Sequence, residues 1–273
     1  MQLASRESLA AARERLDEHA EAAPADALRT LAGDLGGVVG VLDSQPALRR
    51  ALSDPALAAD QRESLGQAVF GGAVSEPAQR VLRDLARARW SAPGDLTDAV
   101  EDLSRQATFA AAERSGELDD VEDELFRFAR IVDRAPDLAA ALTNASLPLE
   151  RRGQLIDALI EDKVKPATRQ LLDRAVAAPR ERTLEHILSS LSQLAAARRH
   201  RYVASVRSAV EMSTAQTERL AAALGRIYRR DVVLQIEINP DLIGGLVVQV
   251  GDEVIDGSVA SRLADAGRVI TRR

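Results

Sequence analysis

The chain contains no cysteine, and only Lys163 and Lys165 of its 36 basic residues are lysine. Without cysteine there is no disulfide framework, no thiolate metal site and no cysteine nucleophile, and the reducing cytosol is the default compartment. Aromatic residues make up 3% of the chain. Cores must therefore be assembled from Leu, Ala, Val and Ile, which suits close helix packing and leaves no ring-lined ligand cavity to expect. No uncharged aliphatic stretch approaches the ~18 residues of a transmembrane helix. The opening "MQLASRESLAAARERL" carries charges where a signal peptide has its apolar segment, so any membrane role is expected to be indirect. Positive charge is in short supply as well: 42 acidic residues outweigh the basic ones for a net of -6, which argues against a nucleic-acid partner. The many arginines read most simply as a solvated surface.

What the chain does have is a 46% hydrophobic composition over 273 residues, enough for two or three small cores. It also has an internal echo. "LDSQPALRRALSDPALAADQRESLGQA" from Leu42 returns as "VDRAPDLAAALTNASLPLERRGQLIDA" from Val132, at an offset of 90. Asp43/Asp133, Pro46/Pro136, Leu48/Leu138, Leu52/Leu142, Leu57/Leu147, Arg62/Arg152 and Leu65/Leu155 are identical pairs. One residue shorter in spacing, Pro77 pairs with Pro166 and Leu82 with Leu171. Solenoid repeats run ~20–50 residues, so this period indicates two copies of a small helical bundle. Pro46 and Pro136 are expected to close one helix in each copy, and Pro77 and Pro166 to open another. Leu184, Ile187, Leu188 and Leu191 space out one buried stripe. "SGELDD" at 115 to 120 reads as a joint, with a long helix near 96 to 114 shared by the bundles or joining them.

Beyond His200 the pattern changes. "RYVASVRSAV" is β-branched and short, and Ser213 with Gln216 forms a capping box for a helix ending near Tyr228, buried through Leu220, Leu224 and Ile227. "VVLQIEIN" alternates Leu234, Ile236 and Ile238 inward against Gln235, Glu237 and Asn239 outward, a half-buried strand. "GGLVVQVGDEVIDGS" reads as strand, tight turn at Gly251-Asp252, strand, and then a last helix with Ser258 as N-cap and Leu263 inside. The expected fold is mostly α: two small helical bundles in tandem, then a small α+β domain, with divisions at 1–104, 105–200 and 201–273.

Chemistry is hard to find. A phosphate loop needs GxxxxGK[ST] or a GxGxxG that opens a helix, whereas Gly244 and Gly245 open a strand with no lysine near, so a structural role for both is favoured. His19, His186 and His200 have no nucleophile motif beside them. Ser258 in "DGSVA" lacks the second glycine of a nucleophile elbow. Asp119, Asp120, Glu122, Asp123 and Glu124 suit a helix N-terminus better than a calcium loop, whose glycine and ligand spacing are missing.

From Val232 the sequence "VVLQIEINPDLIGGLVVQVG" with its continuation "GDEVIDGSVASRL" resembles the signature of the δ subunit of F-type ATP synthases, the bacterial relative of the oligomycin-sensitivity-conferring protein. The likeness rests on Val232, Leu234, Ile238, Leu242, Gly244, Gly245 and the Asp256-Gly257-Ser258 step. "RQATFAAAERSGELDDVEDELFRFARIVDRAPDL" from Arg105 resembles that family's first two helices, with Ala107-Thr108 standing where Tyr-Ala is usual. "TRQLLDRAVAAPRERTLEHILSSL" resembles its fifth and sixth. Residues 1–104 are then a divergent extra bundle, an arrangement similar to δ subunits of actinobacteria. The resemblance implies a non-catalytic stator subunit on the cytoplasmic face of the cell membrane, without cofactor or metal. It would link the catalytic head to the b-subunit stalk, here expected to be a separate chain. It implies that an α-subunit N-terminal helix lies between the first and fifth helices of a bundle, on Ala107, Ala111, Leu171, Leu172 and Ala175 in the second copy. It further implies that Gly244, Gly245, Asp256, Gly257 and Ser258 shape the part that clamps the stalk. A generic helical adaptor is the alternative that the duplication alone would allow.

Overall fold

A computed structural model describes residues 1–144, 146–160, 163–177, 183–200, 203–228, 232–240, 242, 244–250 and 253–259. The chain divides into two compact units, Met1–Ala195 and Ala196–Arg273. The first is entirely helical: α1 (Leu3–Ala22), α2 (Ala25–Ser44), α3 (Pro46–Ser53), α4 (Ala59–Phe70), α5 (Glu76–Arg87), α6 (Pro93–Arg114), α7 (Leu118–Arg134), α8 (Pro136–Thr143), α9 (Leu149–Ile160), α10 (Pro166–Ala177) and most of α11 (Leu184–His200). Shifted by the repeat offset, α1 to α5 fall on α6 to α10 in order. Pro77 and Pro166 stand in the first turns of α5 and α10 as expected. Pro46 and Pro136 do not close the preceding helices. They begin α3 and α8, and α2 and α7 have already ended at Ser44 and Arg134, because a fixed φ and a missing N–H suit a first turn.

The repeat is visible in individual hydrogen bonds. Asp34 accepts from the Ser75 amide at 2.8 Å, and its counterpart Glu124 accepts from the Lys165 amide at 2.9 Å. Asp54 turns the chain by accepting from the Ala56 amide, and Asn144 does the same for Ser146, each at 2.9 Å. Arg62 and Arg152 are both buried. Arg62 donates to the carbonyls of Asp54, Ala86, Arg87 and Ala88, between 2.8 and 3.1 Å, which ties the start of the α3–α4 loop to the otherwise unpaired C-terminus of α5. Arg152 donates to the carbonyl of Val176 at 2.5 Å.

Two aliphatic cores result. One holds Leu9, Leu16, Leu31, Leu35, Leu42, Leu52 and Leu85 around Trp90, and the other Leu125, Phe128, Leu142, Ile156, Leu172 and the Leu184, Ile187, Leu188, Leu191 stripe. Both cores use α6. Leu96, Ala99, Val100, Leu103 and Ala107 enter the first, while Phe109 and Ala112 enter the second. The helix plays the sixth helix of one bundle and the first of the next, so the expected division at 104/105 falls inside it.

The second unit contains β1 (Val203–Ser208), α12 (Thr214–Tyr228), β2 (Val233–Ile238), β3 (Leu246–Val250) and β4 (Glu253–Asp256). The sheet order is β2-β1-β3-β4, with β1 parallel to β2 and the other neighbours antiparallel. The capping box forms: the Ser213 amide donates to Gln216 Oε1 at 2.9 Å and the Gln216 amide to Ser213 Oγ at 3.3 Å. Leu224 is buried among Ala204, Val206, Val248 and Val250. Two side chains depart from the expected pattern. Ile227 is 63% exposed and Ile238 52% exposed, since each lies at the end of its element beyond the small core. The turn at Gly251-Asp252 and the helix expected after Ser258, with Leu263, lie outside the described residues. Among the described residues no helix is long and apolar enough to cross a membrane.

Arg62→Ala should lower the unfolding free energy by about 3 kcal/mol, because several buried carbonyls lose one charged donor together. Arg62→Lys, with no planar fork, should recover only part of the loss. Urea denaturation followed through Trp90, buried in the same core with its indole N–H on the Leu85 carbonyl at 2.8 Å, measures both.

Candidate functional site

The repeat creates two equivalent helix pairs, α1/α5 in the first bundle and α6/α10 in the second. Between α1 and α5 runs an open groove formed by two cavities of about 400 and 410 Å³ that share Ala12, Arg15 and Asp84. It extends from Glu7 to Ala22 on α1, about 22 Å at the helical rise of 1.5 Å per residue. Its floor is apolar, with Ala12 and Leu85 buried and Val81 partly so. Arg15 pairs with Asp84 across it at 3.1 Å. Arg87 at the rim is held charged by the hydrogen bonds it donates to Glu63 and Asp60. His19 lines the groove near Arg80, and burial first, then the Arg80 charge, lowers its pKa.

The equivalent face of α6 and α10 is bounded by a third helix. A cavity of about 510 Å³ lies there, lined by Glu101, Arg105 and Thr108 of α6 and Arg174 and Ala177 of α10, but Gly36, Val39, Gly40 and Asp43 of α2 form its third wall. Arg174 Nη2 donates to the Gly33 carbonyl at 3.2 Å. A Cβ on Gly36 would stand 2.1 Å from the Arg174 guanidinium carbon, so a side chain there would push the end of Arg174 aside. Burial lowers the Arg174 pKa, partly offset by Asp173.

The five residues expected to contact a partner helix occupy other positions. Ala107 and Ala111 face the first bundle: Ala107 in its main core, Ala111 against Ala20, Ala23 and Leu28. Leu171, Leu172 and Ala175 belong to the core of the second bundle. All five are at most 2% exposed. They form the framework of α6 and α10, and the structure does not bring them together on a surface. The reason is that α6 has a second bundle on the side where a lone first helix would meet solvent.

At the C-terminal end the five expected residues do converge. Gly245 has φ +84°, and a Cβ there would lie 2.5 Å from the Gly257 carbonyl oxygen. The Gly257 amide donates to the Leu246 carbonyl, the Val259 amide to Gly244, each at 2.9 Å. Asp256 accepts from the Ser258 amide at 2.9 Å, which lowers its pKa together with the nearby Arg207 charge. These contacts clip two backbone segments together edge to edge, and no anion cradle results from them.

The family model for the ATP synthase delta (OSCP) subunit matches residues 105–269. The chain belongs to this family. ATP synthase subunit delta of Streptomyces avermitilis is 48% identical over 265 residues, covering 97% of each chain, and that of Acidothermus cellulolyticus is 46% identical over 270 residues, again 97% of each. That of Streptomyces griseus is 46% identical over 268 residues and 98% of each chain. The δ family match starts within α6, yet these relatives align along almost the whole chain, so the extra bundle has its counterpart in them. A groove between the first and fifth helices of a bundle was expected, but in this δ-family chain no residue of the α1/α5 pair was singled out from the sequence. The signal was there in the repeat, because shifting the second copy's first and fifth helices back by one period lands on α1 and α5. The glycine-rich C-terminal stretch makes a close backbone contact at Gly245. Gly245→Ala should destabilise the C-terminal unit by about 2 kcal/mol or more, through positive φ and the blocked approach to Gly257. Hydrogen exchange of β3 and β4 reads the loss directly. Gly257→Ala, whose Cβ would meet the Leu246 carbonyl at 3.2 Å, should cost less.

Proposed function

We propose that the chain is the non-catalytic stator subunit of an F-type ATP synthase, linking the α/β head to the b stalk at the cytoplasmic face of the membrane and resisting rotor torque. Near full-length similarity to proteins named ATP synthase subunit delta carries this reading. In functional terms, residues 1–104 are an extra bundle, 105–200 the bundle common to the family, and 201–273 the domain that meets the b stalk, a separate chain. The α-subunit N-terminal helix docks apolar face down in the groove between the first and fifth helices of a bundle. The α1/α5 groove supports this: it is apolar along its floor, charged along both rims, and long enough for about four helical turns. The subunit makes no bond itself and needs neither metal nor cofactor. Its contribution is stiffness, so its cores and its two contact surfaces must hold under load.

Adding the protein to membranes stripped of it, together with the detached catalytic head, should restore head attachment and proton-driven ATP synthesis. ATP hydrolysis by the free head should be unchanged. Full coupling in its absence, or nucleotide turnover by the isolated chain, would contradict the stator assignment.

A further inference from the structure

We infer that Asp256-Gly257 is the site at which this chain undergoes spontaneous aspartate isomerisation, and that the backbone clip at Gly245 holds the reaction off while the C-terminal unit stays folded. It is the only Asp-Gly or Asn-Gly step in the sequence. Glycine is the following residue with which this chemistry is fastest, since no side chain shields the amide nitrogen and the main chain turns freely. The Gly257 nitrogen attacks the Asp256 side-chain carboxyl carbon, and the new C–N bond closes a five-membered succinimide. One carboxyl oxygen leaves as water, taking the amide proton and a proton from solvent. Water then reopens the ring. Addition at the main-chain carbonyl leaves isoaspartate, in which the chain runs through the side-chain carbonyl, one methylene longer, with a free α-carboxylate beside it. Water leaves and water returns, so no oxidant, metal or second substrate takes part.

Three features of the fold oppose ring closure. The Gly257 amide proton is engaged, donated to the Leu246 carbonyl at 2.9 Å. The carboxylate is engaged as well, with Asp256 Oδ1 accepting from the Ser258 amide at 2.9 Å. Hydrogen bonds from Ser258, ahead of the Arg207 charge, lower the Asp256 pKa and keep it ionised, the form that loses water most slowly. Asp256 also pairs with Val247 in the β3–β4 ladder, which holds its main chain extended and resists the rotation that closure needs. Gly245 keeps these contacts in place. Its φ of +84°, and the 2.5 Å that would separate a Cβ there from the Gly257 carbonyl oxygen, let the two segments lie edge to edge. The Val259 amide closes the contact on the Gly244 carbonyl at 2.9 Å. Protection therefore lasts as long as the clip. Each opening frees Gly257 and Asp256 together, and isomerisation during an opening is not undone on closing. With a methylene inserted, the Gly257 and Val259 amides no longer reach Leu246 and Gly244 in one register.

The test is the isoaspartate content of the full chain aged in neutral buffer, read by enzymatic methylation of the new α-carboxylate and located by peptide mass mapping. The label should map to residue 256 and build at least tenfold more slowly than in a synthetic peptide of residues 250–262, which has no clip. Gly245→Ala should raise the rate in the full chain at least fivefold, and urea below the unfolding midpoint should do the same without any substitution. Asp256→Glu, whose longer side chain closes a ring far more slowly, should remove the label. Label at another residue, a native rate equal to that of the peptide, or a rate that neither Gly245→Ala nor urea moves would overturn the inference.

Discussion

Helix α6 is buried on almost every side, and the helical unit depends on how that burial is satisfied. Thr97, Glu101, Ser104, Arg105, Gln106 and Thr108 are all buried along with its aliphatic residues. A polar group inside a core costs stability unless it finds a partner, as Glu101, Ser104, Arg105 and Thr108 do, while Thr97 Oγ1 does not. Helices α1 and α2 also bind α6 side chains directly. Arg13 forks onto Asp102 at 2.6 and 2.7 Å, Ser104 Oγ donates to the Ala32 carbonyl at 2.8 Å, and Arg114 donates to the Ala20 carbonyl at 3.0 and 3.1 Å. Glu101 and Arg105 partner each other along the helix. The small side chains of α6 let α1 and α2 come close, and its C-terminal end turns Phe109 and Ala112 into the second core.

Sharing a helix has a mechanical consequence. Two bundles joined by a linker would pivot, whereas two cores that grip one 22-residue helix have no joint to bend. Sharing also breaks the symmetry of the duplication. The helix that is first in the second bundle is last in the first, so α2 arrives as its neighbour and forms a third wall of the α6/α10 cavity.

Much of this was legible in residues, but unevenly. The echo from Leu42 to Val132 contained the paired turn at Asp54 and Asn144 and the buried Arg62 and Arg152, because each serves a local hydrogen bond or a core position that recurs with the fold. The Ser213/Gln216 box and the Leu184 to Leu191 stripe were readable for the same reason. Which residues of α6 and α10 stay exposed was not. Ala107 and Ala111 are small and lie on α6, but which face of α6 meets solvent depends on a bundle whose contacts with it come from 72 and 94 residues earlier in the sequence. Periodicity cannot report that. The exposure of Ile227 and Ile238 is similar: alternation marks a face, and only the extent of a small core says where along the element that face stops being covered.

The account's central claim is that α6 makes the two bundles a single cooperative body. Leu125, fully buried, belongs only to the second core. Hydrogen exchange of the full chain carrying Leu125→Ala tests the claim most directly, since a cavity there removes about 3 kcal/mol from whatever unfolds with it. If the bundles unfold together, the most protected amides of α2 and α4 in the first bundle should lose protection by as much as those of α7 and α10. Loss confined to α7–α11, with the first bundle as protected as before, would contradict the account.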